Sequence, residues 1–306
     1  MTAPPAIATK ATQLRVDERP VILCADDYAI TPGVSSGIQE LAELGRLSAA
    51  SALVTTPHWP AHACRLLPFR SRLAIGLHIN LTLGTPLGPM PNLAAAGELP
   101  GLKTLLGKSI AGRVGHVEIE NEVYRQLDRF ESELGYAPDF IDGHQHVHAL
   151  PGVRKAVVCA LLRRYPERRP LLRDPADSPL AIIARRVAPV KSLAIATLAA
   201  GFGKLARKLG FRTNHGFSGV STFDERVPYS REFVRYLARP GPRHLIMCHP
   251  GYPDAELARL DPVVARRRAE LEALREAPDL PARLWRPFRT CADSELQWPN
   301  GGATHA

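Results

Sequence analysis

Aromatic residues make up only 6% of the 306-residue chain, and no long uninterrupted apolar run occurs. No stretch reaches the ~18 apolar residues that a membrane-spanning helix needs. The nearest, "SLAIATLAAGFG" between Lys191 and Lys204, is too short. The opening "MTAPPAIATKATQLRVDERP" has no apolar core behind a basic start, so it does not read as a secretory signal. It reads as a disordered lead. Cysteine is scarce. Cys24, Cys64, Cys159, Cys248 and Cys291 are far apart, odd in number and free of C-x-x-C spacing. That excludes a disulfide scaffold and favours a reducing, cytoplasmic setting. Cys24 in "VILCA" and Cys248 in "LIMCH" read as small buried hydrophobes. An "NLT" acceptor at Asn80 would go unused in the cytoplasm. Acidic residues are the minority charge, 30 against 39 basic, giving net charge +9 and pI near 9.6. Such an excess invites nucleic acid or an anionic membrane as partner. The arginines, however, spread through the C-terminal half without interleaved aromatics, so nucleic acid is not expected.

What is present is a 45% apolar composition and a length that suits one α/β domain. "RPVILCADD" reads as a buried parallel strand, and "TPGVSSGIQELAELG" as a helix capped by Thr31, opened by Pro32 and stopped at Gly45. "SAASALVTT" and "LAIGLHINLT" read as further strands, and "HWPAHACRLLPF" as a helix. The Pro- and Gly-rich 84–115 reads as a long functional loop. "HVEIENEVYRQLDRFESELG" is a strongly amphipathic helix. Then come "PDFIDGHQHVH" (strand into loop), "GVRKAVVCALLRRY" (helix), "PLLRD" (short strand), a basic helical 181–212, "HLIMCHPGYPD" (strand) and "VVARRRAELEALREAP" (helix). Strands and helices alternate without repeat or linker. The pattern argues for a sheet of mostly parallel strands, open or closed into a (β/α) barrel, as a single domain over 19–296, with a disordered lead 1–18 and a flexible tail 297–306.

The polar groups fall at the C-terminal ends of the predicted strands, where such sheets build their sites. Adjacent carboxylates at Asp26 and Asp27 repel unless a cation or a proton intervenes, so one can bind a metal while the other serves as a base. His78 shares a strand face with Asn80 and Thr82, leaving Leu77, Ile79 and Leu81 for the core. Taken alone, His78 is an ordinary rim or core residue. In "DFIDGHQHVHALPG", His144, His146 and His148 recur at period two and share a face if extended. If His144 and His148 sit on a helical turn, those two share one instead. At least one is expected to ligate a metal, with Asp142 orienting a ligand histidine from behind. His249, held by Pro-Gly, suits general-acid work or a structural turn. Arg173 can clamp an anionic group, hold a site aspartate ionised, or simply pair with Asp174.

These residues carry a resemblance. "CADDYAITPGVSSGIQEL", "SALVTTP", "IGLHINLTLGTPL", "PDFIDGHQHVHALPGV" and "IMCHPGYPD" span 20–254 in the order seen in the YdjC-like carbohydrate deacetylases, the group named for chitooligosaccharide and hopanoid-associated deacetylases. The resemblance implies a polysaccharide-deacetylase-like distorted barrel. It implies one divalent metal, Mg or Zn with Co and Mn as alternatives, held by Asp27, His78 and His144. It further implies Asp26 as base and His249 as acid, and removal of an N-acetyl group from an amino sugar in an oligosaccharide or glycolipid. Asn80, Asp142, His146, His148 and Arg173 would then touch substrate or support the ligands, with His148 the fallback ligand. The chain departs from the family's Asp-Asp-Phe-Gly by writing Asp26-Asp27-Tyr28-Ala29, and 181–212 matches none of its motifs. Contact of 181–212 with a membrane or lipid-linked substrate, and a homodimer, stay open. The rival readings are another metal-dependent barrel hydrolase, amidohydrolase or phosphoesterase, and a basic protein that binds membrane surfaces without catalysis.

Overall fold

A computed structural model describes residues 19–287, 289 and 296–298. The expected lead 1–18 and the expected tail beyond Trp298 lie outside the described residues. The chain alternates β1 (Ile22–Tyr28), α1 (Pro32–Glu43), β2 (Ala49–Ala52), α2 (Trp59–Ala63), β3 (Ala74–Ile79), α3 (Leu102–Ile110) and α4 (His116–Leu134). It continues with β4 (Phe140–Gly143), α5 (Val153–Arg164), β5 (Leu171–Leu172), α6 (Pro179–Arg185), α7 (Pro189–Leu198), α8 (Phe202–Lys208) and β6 (Phe217–Ser218). Last come α9 (Tyr229–Tyr236), β7 (Leu245–Cys248), α10 (Leu257–Leu260), α11 (Ala265–Glu276) and α12 (Leu280–Arg283). All seven strands are parallel, in the order β5-β4-β3-β2-β1-β7-β6.

Taken in a circle, that is chain order with one seam, between β5 and β6. A lone parallel bridge between Leu172 and Thr213 spans the seam, beside a 2.9 Å bond from the Leu172 N–H to the Arg212 carbonyl. The expected distorted (β/α) barrel is therefore present, as an open, curled sheet. Among the described residues, no helix is long and apolar enough to cross a membrane.

Two periodicities decide which side chains face inward. On the strands, Leu23, Leu77, Ile79, Ile141 and Ile246 point outward and pack under the helices. The helices answer with apolar stripes. In α4 the stripe runs Ile119, Val123, Leu127, Phe130 and Leu134, and Gly135 ends the helix at φ 76°. In α1, Thr31 Oγ1 accepts from the Val34 N–H at 3.4 Å and Pro32 opens the first turn. The alternate strand residues, Ile22, Cys24, Ala49, Ala74, Phe140, Leu171, Leu245 and Met247, fill the barrel. Trp285 and Trp298, stacked at 4.9 Å, plug its N-terminal end. Ala49, Ser51, Ala74 and Gly76 keep the interior narrow. A Cβ on Gly76 would stand 2.4 Å from the Phe140 ring.

Several expected elements differ. The stretch 84–115 is not all loop, because it carries α3. Pro68 breaks the helix expected in "HWPAHACRLLPF" into α2 and a tight turn over Cys64–Phe69. The basic 181–212 divides into α6, α7 and α8, with Arg186 and Ala188 in the left-handed region between the first two. Cys24 is more than a hydrophobe, since its sulfur accepts from the Arg173 Nη2 at 3.0 Å.

The tight interior yields a packing prediction. Gly76→Ala should destabilise the protein by about 1–3 kcal/mol in urea denaturation, because the ring of Phe140 cannot retreat past Trp298. Adding Phe140→Leu should recover part of that loss. Strictly additive costs would contradict the packing account.

Candidate active site

Consecutive strand residues normally point to opposite faces. Asp26 and Asp27 do not, and the cause is local. Ala25 pairs with Ala50 while Tyr28 pairs with Ala52, so β1 carries an extra residue against β2. Asp27 itself sits at φ 67°. Both carboxylates consequently turn into the mouth of the barrel, and both are buried.

Beneath them lies Arg173, fully buried at the end of β5. Its guanidinium donates to both Asp26 oxygens at 2.6 Å and reaches Asp142 Oδ2 at 2.5 Å. The partner of Arg173 is thus not Asp174; it is the pair Asp26 and Asp142. Asp142 Oδ1 accepts from His78 Nδ1 at 2.7 Å and from the Ser51 hydroxyl. This fixes the imidazole with Nε2 aimed at Asp27 Oδ1, 3.3 Å away. His144 Nδ1 meets the same oxygen at 2.9 Å. The other oxygen, Oδ2, accepts from Arg267 at 2.6 Å, and Arg267 also bonds to Asp261 at 2.7 Å.

Charges this close move each other's equilibria. Burial pushes the Asp27 carboxyl up, but Arg267 and His144 outweigh it and hold it well below the usual range. Burial likewise raises Asp142, and Arg173 beside it wins, leaving it lowered. Burial lowers His78, yet Asp142 and Asp27 reverse this and raise it to about 10. A field that holds a proton on His78 so firmly also favours a metal cation in its place.

Among the described residues, two clusters have the ligand types and spacing for an ion. In the first, one ligand atom each of Asp27, His78 and His144 lies within 4.8 Å of the others. In the second, Cys24, Asp26 and Asp142 do so, but Arg173 already hydrogen-bonds to Cys24 and Asp26 and forms an ion pair with Asp142. The first fits a divalent cation. Its nitrogen and carboxylate donors suit Zn, Co or Mn, and Mg less well. The charge also fits. Asp26, Asp27, Asp142 and Asp261 face two arginines, Arg173 and Arg267, and the excess of negative charge is what holds the proton on His78 and would equally hold a cation in its place.

The three histidines of "GHQHVH" neither share a strand face nor a helical one. They occupy a tight turn over His144–Ala149 in which Gln145 and His146 have φ 53° and 61°. Each ring therefore goes its own way. His144 meets Asp27; His146 leans edge-on against Phe217. His148 bonds from Nε2 to the Arg173 carbonyl at 2.8 Å and packs on Phe202, away from the triad. Asn80 also stands back, for its oxygen takes the Thr82 and Leu83 N–H groups and its amide reaches Thr55. It shapes the turn after β3.

Asp26, Asp27, His78, His144, His146 and His249 open onto one cavity of about 480 Å³. Apart from this polar floor and Gln145, Lys191 and Asp261, its walls are apolar: Leu102 and Leu106 of α3, Ala194, Ile195 and Leu198 of α7, and Phe223 among them. His249 packs against Phe223, and its backbone N–H donates to Glu270 at 2.6 Å. Sequence reading missed Arg267, Ser51, Glu270 and the apolar wall. Arg267 sits in "ARRRAE", which looks like a solvated basic helix face, and its partner lies 240 residues away.

Known proteins extend the picture. A family model described as YdjC-like protein matches residues 20–280, and the chain belongs to that family, as its motifs imply. A Mus musculus protein named carbohydrate deacetylase is 32% identical over 248 residues, covering 76% of this chain and 78% of that one. The Homo sapiens protein of the same name is 31% identical over 249 residues, covering 76% and 75%. A chitooligosaccharide deacetylase of Klebsiella pneumoniae is 36% identical over a shorter 133 residues, 44% of this chain and 52% of that one. In fold, the chain matches an Enterococcus faecalis protein named for cellobiose-phosphate cleavage, with TM-score 0.65 at 24% identity over 86% of this chain and 93% of that one.

Glu270 gives a pH prediction. Burial raises its carboxyl to about 7, although the His249 N–H, Arg266 and Arg267 oppose the shift. The native state thus holds this proton more tightly than the unfolded chain does. The stability it confers at acid pH is lost as pH rises toward 7. Between pH 5 and pH 8 in urea denaturation, the wild type should lose about 2 kcal/mol more than Glu270→Gln. Parallel profiles would contradict the buried, raised carboxyl.

Proposed function

We propose that this YdjC-like protein is a metal-dependent deacetylase that removes the acetyl group from an N-acetylated amino sugar. The observation that carries the reading is the meeting of Asp26, Asp27, His78, His144 and His249 in one cavity. The names of the mouse, human and Klebsiella relatives support it.

In this reading Asp27, His78 and His144 would hold one divalent cation, Zn, Co or Mn by their donor types and Mg less well. When bound, the cation would polarise the amide carbonyl and lower the pKa of water. Asp26 accepts the proton of the attacking water, and Arg173 fixes both carboxylate oxygens so that the base stays aimed at the cavity. His249, which lines the same cavity, gives a proton to the departing nitrogen. Water adds to the carbonyl carbon, the C–N bond breaks, and acetate and the free amine leave. Asp142 acts through His78, fixing its tautomer.

The walls narrow the substrate. A groove for a bare oligosaccharide would offer stacking rings and many hydrogen-bonding groups along its length. Beside the one ring of Phe223 and the polar Lys191 and Gln145, this cavity offers mainly leucine, isoleucine and alanine from α3 and α7. An amino sugar joined to an apolar aglycone fits such walls better than a chitooligosaccharide does.

Acetate release from an N-acetylglucosaminyl lipid should stop on chelation and return with Zn, Co, Mn or Mg. His144→Ala should lose the bound metal together with activity. Asp26→Asn should keep the metal and lose about 100-fold or more in kcat. Phosphate-ester hydrolysis without acetate release would move the reading to a phosphoesterase.

A further inference from the structure

The helices that wall the cavity are themselves uncovered. α7 buries none of its residues, although Ala194, Ile195 and Leu198 line the cavity. Among the described residues, nine large apolar side chains are exposed, and five of them belong to two connections. Ile110 (66%) and Val117 (71%) follow β3; Leu180 (73%), Ile183 (55%) and Val190 (81%) follow β5. In a parallel sheet both connections leave from the C-terminal edge, the edge at which the cavity opens. Leu180 and Ile183 stand three residues apart, so they share one face of α6, and the exposed Arg186 continues it.

Charge identifies the partner. From 178 to 223 the chain has seven basic residues and not one acidic residue. Arg185 is buried against Asp177 and Arg207 lies near Asp174, but Arg186, Lys191, Lys204, Lys208 and Arg212 are exposed. Pairing this face with a second copy would bring like charges together. An anionic lipid surface complements both its charge and its apolar residues.

We propose that the cavity mouth docks on an anionic bilayer, with α6 and the start of α7 set into the headgroup layer. The docked cavity then receives the sugar of a lipid-linked substrate without that lipid leaving the membrane. This deepens the glycolipid reading and depends on it for its purpose.

The test is flotation of the full chain with phosphatidylcholine vesicles, with and without phosphatidylglycerol. The chain should float with the anionic vesicles, more weakly with neutral ones, and less in high salt. The triple variant Leu180→Asp, Ile183→Asp, Val190→Asp should reduce partition by at least about tenfold. None of the three lines the cavity, so acetate release from a soluble chitooligosaccharide should stay unchanged, and a wild-type melting curve confirms the fold. Absence of flotation, or equal flotation of the variant, overturns the proposal whatever the deacetylase assay gives. Self-association that the triple variant abolishes, with no flotation, assigns the face to a second copy and also overturns it. Flotation without acetate release leaves the docking in place and removes the enzymatic reading instead.

Discussion

The guanidinium of Arg173 lies inside the barrel, away from water, and bonds to Asp26 and Asp142 together. Removing three charges from water costs several kcal/mol per ion, and only near-ideal geometry offsets it. The geometry is supplied from four strands: Asp26 from β1, Ser51 from β2, Asp142 from β4, and Arg173 at the end of β5. His148 then pins the Arg173 backbone from the turn beyond β4. The small side chains below, Ala49, Ala74 and Gly76, give this charged layer its room. The triad rests directly on it, because Asp142 orients His78 and Arg267 holds the far oxygen of Asp27.

Much of this was legible in the sequence, for physical reasons. Strand ends in a parallel sheet collect polar groups, so Asp26, Asp27, His78, His144 and His249 stood out by position. A parallel sheet, open or closed into a barrel, followed from alternation of apolar runs with amphipathic helices, and the motifs' resemblance pointed to the barrel. Three kinds of feature were not legible. Tertiary partners were hidden: Arg267 meets Asp27 across nearly the whole chain, and Arg173 bypasses its neighbour Asp174 for Asp26. Local backbone was hidden too. Left-handed Gln145 and His146 scatter rings that a period-two reading puts on one face. Short elements were hidden as well, since two-residue β6 lies between Gly216 and Gly219 without a periodic signal.

The chain's missing glycine at Ala29 also finds its place. Ala29 adopts φ 69°, a left-handed backbone in which the glycine usual at this point of the motif would be unstrained. Its N–H donates to Ser35 Oγ and its carbonyl accepts from Thr56, bonds that hold the turn against that strain. The turn survives the substitution, and so does the inward aim of both aspartates. In the proposed function the polar floor and its arginines would set the chemistry, and the apolar walls from α3 and α7 what reaches it.

The central claim is that Arg173 and Arg267 bias four carboxylates so that Asp27, His78 and His144 hold one divalent cation. The most direct test is an anomalous difference map from crystals grown with cobalt. The account predicts one strong peak in bonding contact with Asp27 Oδ1, His78 Nε2 and the His144 ring. A peak between Asp26 and Asp142, or no peak at the triad, would contradict it.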